Sequence, residues 1–205
     1  GSLALVLILC GCTAPPKPQL PPASTTVSSS STQLFSVSSA VSPRVNILDP
    51  SRITKKPFGI FIEAETSPVQ PERFHGFHTA ADFETTDADP EVIEVPAICD
   101  GKVITSRTVS GYGGVFIQSC TINNEAVTVL YGHIAPTSLP TVGVALKTGD
   151  IVGRLGKGYS PETDDERRHL HLSIHHGTSA ELRGYVQNKS QLSAWMDPVP
   201  FLPGN

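Results

Sequence analysis

From about Pro57 onward, short runs rich in β-branched residues alternate with Gly, Pro, Asn and Asp. Short β-branched runs bounded by such residues are the pattern of strands joined by turns. Strands are predicted over 59–64, 92–95, 102–106, 115–119, 127–131, 151–155 and 169–175. Asn123-Asn124, between Cys120 and Ala126, reads as a hairpin turn, and Lys147-Thr148-Gly149-Asp150 as another tight turn, so neighbouring strands are expected to be antiparallel. One short helix is expected near 190–195, stopped before Asp197-Pro198 because proline drives its predecessor away from helical ψ. No internal repeat is visible.

The text ahead of Pro57 is different. Leu3-Ala4-Leu5-Val6-Leu7-Ile8-Leu9 is too short to span a bilayer but has the length of a signal-peptide core. No basic residues and no Met precede it, so the chain given is expected to start inside the signal. The run leads into Leu9-Cys10-Gly11-Cys12, which resembles a bacterial lipobox and would make Cys12 a lipidated mature N-terminus. A plain secretory signal is the alternative, and either way the protein is expected to be exported. From Thr13 to about Pro43 the chain is dominated by Pro, Ser, Thr and Ala, too poor in large apolar groups to build a core. The expected organisation is therefore a signal over 1–12, a flexible tether over 13–56 and one domain over 57–205.

Alternation along a strand makes 168–175 the most informative segment. Leu170, Leu172 and Ile174 would point into a core, while His169, His171, Ser173 and His175 share the other face. His78 and Asp82, four apart, can share a face of either an extended segment or a helical turn. Two imidazoles and one carboxylate, with a fourth position left to water, is the usual donor set of a catalytic zinc site, although non-haem iron accepts the same atoms. His133 ends the apolar strand Val127-Thr128-Val129-Leu130-Tyr131, where it can face a cleft.

His78-x-x-x-Asp82, Tyr131-Gly132-His133 and His169-x-His171, in that order, resemble the signature motifs of the lysostaphin-type, LytM-like zinc metallopeptidases. The text between them agrees: Asp100-Gly101-Lys102-Val103 resembles the strand entering that family's core sheet. Gly111-Tyr112-Gly113-Gly114 resembles its glycine turn, and Lys147-Thr148-Gly149-Asp150 lies in a stretch like the hairpin before its final ligand. The likeness covers about two-thirds of the chain. It implies an all-β fold, an antiparallel two-sheet sandwich or barrel of the duplicated hybrid motif type with one short C-terminal helix. It also implies one Zn2+ held by His78, Asp82 and His171, with His133 and His169 as catalytic histidines, and hydrolysis of peptidoglycan stem peptides or cross-links in the bacterial envelope. One position departs from the family, which usually has Gly where this chain has Ala80. A module that binds peptidoglycan or activates another hydrolase without catalysis is the alternative, and an iron oxygenase on a cupin-like barrel is a second.

Composition narrows the remaining choices. With 205 residues, 39% of them hydrophobic, one core is expected. The 15 Lys+Arg against 19 Asp+Glu give a net charge of -4, which lacks the basic excess of a nucleic-acid binder. Membrane contact is expected only through Cys12. Beyond the signal only Cys99 and Cys120 remain, free to pair in an oxidising compartment or to stay as buried thiols. His75, His175 and His176 read as rim or surface residues, and Glu84, Asp87, Asp89 and Asp164-Asp165-Glu166 as solvated loop charges. Arg167-Arg168 read as salt-bridge partners of that acidic loop in preference to a peptide carboxylate.

Overall fold

The computed structural model describes Gly1 and residues 45–204, so the apolar run 3–9, the Cys12 motif and residues 13–44 of the expected tether lie outside the described residues. Among the described residues no helix is long and apolar enough to cross a membrane. In chain order the strands are β1 (Phe61–Ile62), β2 (Gly76–His78), β3 (Ala81–Glu84), β4 (Glu94–Pro96), β5 (Gly101–Val109) and β6 (Gly113–Ile122). They continue with β7 (Glu125–Ile134), β8 (Ala145–Leu146), β9 (Ile151–Arg154), β10 (His169–His176), β11 (Tyr185–Val186) and β12 (Trp195–Met196). The expected short helix is a 3-10 segment, Lys189–Ala194.

The fold is all-β with antiparallel pairing. A seven-stranded sheet runs β12-β10-β7-β6-β5-β8, and β3 joins it by pairing with β10; β1-β2-β11 form a three-stranded sheet and β4-β9 a two-stranded one. The outer edge of β10 is shared: β3 lies along His169–Leu172 and β12 along Ile174 and His175. Alternation then sorts each strand. Leu170, Leu172 and Ile174 of β10, Val127, Val129 and Tyr131 of β7, and Ala81 and Phe83 of β3 all enter the main core. On the opposite face Val115, Ile117, Leu130 and Tyr112 form a smaller apolar cluster with Leu182 packed on it. His169, His171 and Ser173 are buried on that second face. The sheet is therefore covered on both sides, as the near-continuous burial of β10 shows.

Packing begins ahead of the expected boundary at Pro57. Ile47 and Leu48, only 1% and 5% exposed, belong to the main core, and Lys56 is buried. Two apolar residues between polar neighbours carry no periodic signal, which is why this stretch reads as tether in the sequence. Cys99 and Cys120 form a disulfide, with Cα atoms 6.2 Å apart. Close by, the Tyr131 hydroxyl donates to Gln118 Oε1 (3.2 Å) and accepts from the Ile98 amide (2.9 Å), and Gln118 Nε2 donates to the Cys99 carbonyl (2.8 Å). These buried polar groups thus satisfy one another.

Candidate metal centre

Antiparallel register builds most of the site. Asp82 lies directly opposite His171, and Glu84 opposite His169, across the β3–β10 ladder. Because Ala81 and Phe83 occupy the core face, Asp82 and Glu84 share the other face with the histidines. His78 arrives from a different sheet, at the end of β2 with Tyr185 of β11 as its cross-strand partner. The chain crosses from β2 to β3 through Thr79 and Ala80, and the link is pinned on several sides. Thr79 N and Oγ1 donate to the carbonyls of Gly184 (3.0 Å) and Arg183 (2.7 Å), and Ser173 Oγ donates to the Thr79 carbonyl (2.8 Å). The spacing of four is thus spanned by two short strands of separate sheets, which is neither a single extended run nor a helical turn. Ala80 is fully buried, does not line the cleft and has no left-handed φ, so its methyl group leaves the site open.

His133 reaches the same face by a different route. Strict alternation after Val127, Val129 and Tyr131 would turn it into the core. Instead the β6–β7 register shifts, Gly114 pairing with Ile134 and Val115 with Gly132, and His133 is the extra residue, at φ 60°. A bulge of this kind re-aims a side chain, and Ile134 then resumes the core face. The His133 ring centre lies 4.2 Å from that of His169 and 6.3 Å from that of His171.

His78, Asp82 and His171 bring three donor atoms together. His78 Nε2 is 3.3 Å from His171 Nδ1 and 3.3 Å from Asp82 Oδ1, and His171 Nδ1 is 3.1 Å from Asp82 Oδ1. Donors about 2.0–2.1 Å from one tetrahedral ion stand about 3.3 Å apart, so the triangle has the size that a single zinc ion requires. The donor set fits as well: two imidazoles and a carboxylate suit zinc, and the fourth direction is left to the cleft.

The remaining nitrogens have partners that fix ring orientation. His78 Nδ1 faces the Pro57 carbonyl at 3.3 Å, His171 Nε2 faces the Tyr112 hydroxyl at 3.5 Å, and His169 Nδ1 donates to the Arg167 carbonyl at 2.9 Å. Such outer contacts set tautomer and basicity. His133 Nδ1 is buried and has no hydrogen-bond partner among the described residues. Burial, followed by the neighbouring His169 and His171, pushes the His133 pKa well below the usual histidine value. Burial likewise lowers His171, to about 4. Burial alone would raise the Asp82 carboxyl, but the histidines around it, His169 foremost, hold it well below the usual carboxylate range. Burial also raises the Tyr112 phenol, which stays protonated and donates to the Leu182 carbonyl at 3.0 Å.

Asp82, Tyr112, His133, His169 and His171 line a cleft of about 320 Å³ together with Phe74, His75, Gly111, Leu182, Gly184 and Tyr185. Its rim is tied by Arg73, which bonds Glu166 (2.7 Å) and Asp164 (3.0 Å); Asp164 in turn accepts from the Gly111 amide (2.8 Å).

Several charges lie elsewhere than the sequence suggests. Arg167 is buried against Asp82 and Glu84, Glu84 is buried with it, and Asp89 pairs with Arg52 at 2.8 Å. Neither Glu84 nor Asp89 is a solvated loop charge, and the acidic loop pairs with Arg73 and also, at 4.0 Å from Glu166, with Arg167 as the sequence suggests. Tyr112, Arg167 and Glu84 are the residues whose place in the site sequence reasoning misses: Tyr112 is visible there only as part of the glycine turn, and Arg167 and Glu84 only as loop charges.

Residues 76–183, more than half of the chain, match the family model described as Peptidase family M23. Endolysin 2638A of Staphylococcus phage 2638A is 31% identical over 101 residues, a stretch that is 48% of this chain and 19% of that protein. The chain thus spans a small part of that relative's length. Among solved structures LytU aligns at 24% identity with a TM-score of 0.48, covering 73% of this chain and 87% of that one. Lysostaphin from Staphylococcus simulans aligns at 25% identity with a TM-score of 0.42, covering 61% of this chain and 43% of that one.

Proposed function

The chain belongs to peptidase family M23, with the lysostaphin- and LytM-type peptidases, and from that premise we propose that it is a zinc-dependent endopeptidase cutting peptide bonds of peptidoglycan. The observation that carries the proposal is the donor triangle of His78, Asp82 and His171, with edges of 3.1–3.3 Å and one side open to the cleft. Zinc held there supplies a Lewis acid for the scissile carbonyl and lowers the pKa of a water towards about 7.

The protein's own groups do the rest. His169 spends its Nδ1–H on the Arg167 carbonyl, which leaves Nε2 as the basic nitrogen. It accepts the proton of the attacking water and passes it to the leaving amine. The imidazolium formed meanwhile lies 3.3 Å from Asp82 Oδ2, which stabilises it. His133, kept neutral by burial, donates an N–H to the oxygen on which negative charge develops. Tyr112 holds the His171 ring in place from the cleft wall. An extended stem peptide suits a cleft lined by aromatic residues and glycines. The name endolysin of the 31% identical relative agrees with a cell-wall substrate. Export of the chain, anchorage through lipidated Cys12 and a polar tether ahead of residue 45 belong to the same proposal.

Digestion of purified sacculi by the zinc-loaded protein, followed by mass analysis of the released muropeptides, tests it. Peptide-bond cleavage that stops with chelator and returns with zinc is expected. Intact sacculi under every metal condition would favour a binding module, and stoichiometric iron without zinc in protein purified without chelator would favour the oxygenase.

A further inference from the structure

The two oxygens of Asp82 face different partners. Oδ1 points at His78 Nε2 (3.3 Å) and His171 Nδ1 (3.1 Å), whereas Oδ2 lies 2.8 Å from Arg167 Nη2 and 3.3 Å from His169 Nε2. Arg167 is only 5% exposed, and Glu84 braces it through Nε and the same Nη2, with N–O distances of 2.6–3.0 Å to both carboxylate oxygens. Glu84 stands two residues from Asp82 on the same face of β3, so the register that sets Asp82 opposite His171 also delivers the brace. A buried guanidinium persists only with such compensation.

We propose that Arg167 is a positioning residue for the metal ligand: its guanidinium, braced by Glu84, holds Oδ2 of Asp82 and presents Oδ1 alone to the ion. The inference rests on the zinc reading above. Two effects oppose each other here. Repulsion between the guanidinium and a dication weakens metal binding, while fixing the carboxylate removes the bidentate rotamers that compete with the observed one. Positioning requires the second effect to win: the forked pair with Glu84 fixes the guanidinium, and its single bond to Oδ2 then fixes the carboxylate.

The test is the zinc dissociation constant, measured by competition with a chromophoric chelator, for the wild type, Arg167→Lys and the double variant Arg167→Met/Glu84→Gln. Losses of about 10–100-fold are expected for the double variant, the range for outer-shell partners of metal ligands, and about tenfold for Arg167→Lys, which keeps the charge without the fork. A parallel fall in kcat with KM unchanged is expected, since a carboxylate free to turn no longer holds Oδ2 beside the His169 imidazolium. Arg167→Lys gives the result by itself if the double variant fails to fold. Affinity equal to or tighter than wild type in a variant whose circular dichroism is native overturns the positioning role and leaves the zinc reading intact. A wild type that binds no zinc overturns both.

Discussion

At the scale of single residues, chemistry depends on which face a side chain takes, and His133 is the clearest case. Its left-handed φ of 60° inserts one residue into β7 and moves the imidazole from the core side to the cleft side. Replacing it with Ala is expected to lower kcat by about 10²–10³, the usual cost of one oxyanion donor, with KM and zinc content unchanged. Steady-state kinetics on a stem peptide, with metal analysis of the same sample, checks this. A matching loss of zinc would mean that His133 serves the metal instead. His169→Ala is expected to lower kcat by about 10²–10⁴ in the same assay. The five histidine and aspartate positions were legible because metal and proton chemistry admits few residue types. Arg167 and Glu84 were not, since a charged residue in a polar loop and one braced against a ligand read alike in a sequence.

At the scale of elements, turn chemistry is as local as the sequence suggests. Asn123 and Asn124 close the β6–β7 hairpin with φ of 50° and 64°, the pair of left-handed residues that a two-residue type I′ turn requires. Asn124→Gly is expected to leave stability unchanged or slightly raised, and Asn124→Val to reduce it by about 1–2 kcal/mol, the cost of a left-handed conformation for a residue with a Cβ and no local hydrogen bond. Urea midpoints of the two variants check the order. The long strands β5, β6 and β7 were legible from their β-branched runs, and β10 from its alternation. β2 and β3, which carry His78 and Asp82, were not, because neither contains a β-branched residue. Their pairing is fixed instead by β10, β11 and the bonds around Thr79.

At the scale of the whole molecule, the Arg52–Asp89 pair joins segments 37 residues apart, and its effect on stability depends on pH, as does that of the local pair of Arg183 and Glu181. The Arg52 bond holds the Asp89 carboxyl at about 2, and the Arg183 bond does the same for Glu181. In the unfolded chain both would titrate near 4. A folded value below the unfolded one means stability fully present above about pH 4 and lost as pH falls towards 2. Thermal midpoints are therefore expected to drop across that window, and Asp89→Asn, less stable than wild type at pH 6, to converge with it near pH 2. A constant gap between the two from pH 6 to pH 2 would show that the ion pair is not the cause. What the sequence determined by itself was the class of fold and the set of donor types, because alternation, turn residues and metal-binding side chains are local properties of the text. Tertiary structure alone decided that β2 of one sheet and β3 of another meet at a single triangle of donors, that a bulge turns His133 towards them, and that Arg167 stands behind Asp82. Each of these depends on pairing between segments up to 93 residues apart, and register across such a separation is set by cooperative packing of the whole core, which no window of the chain contains.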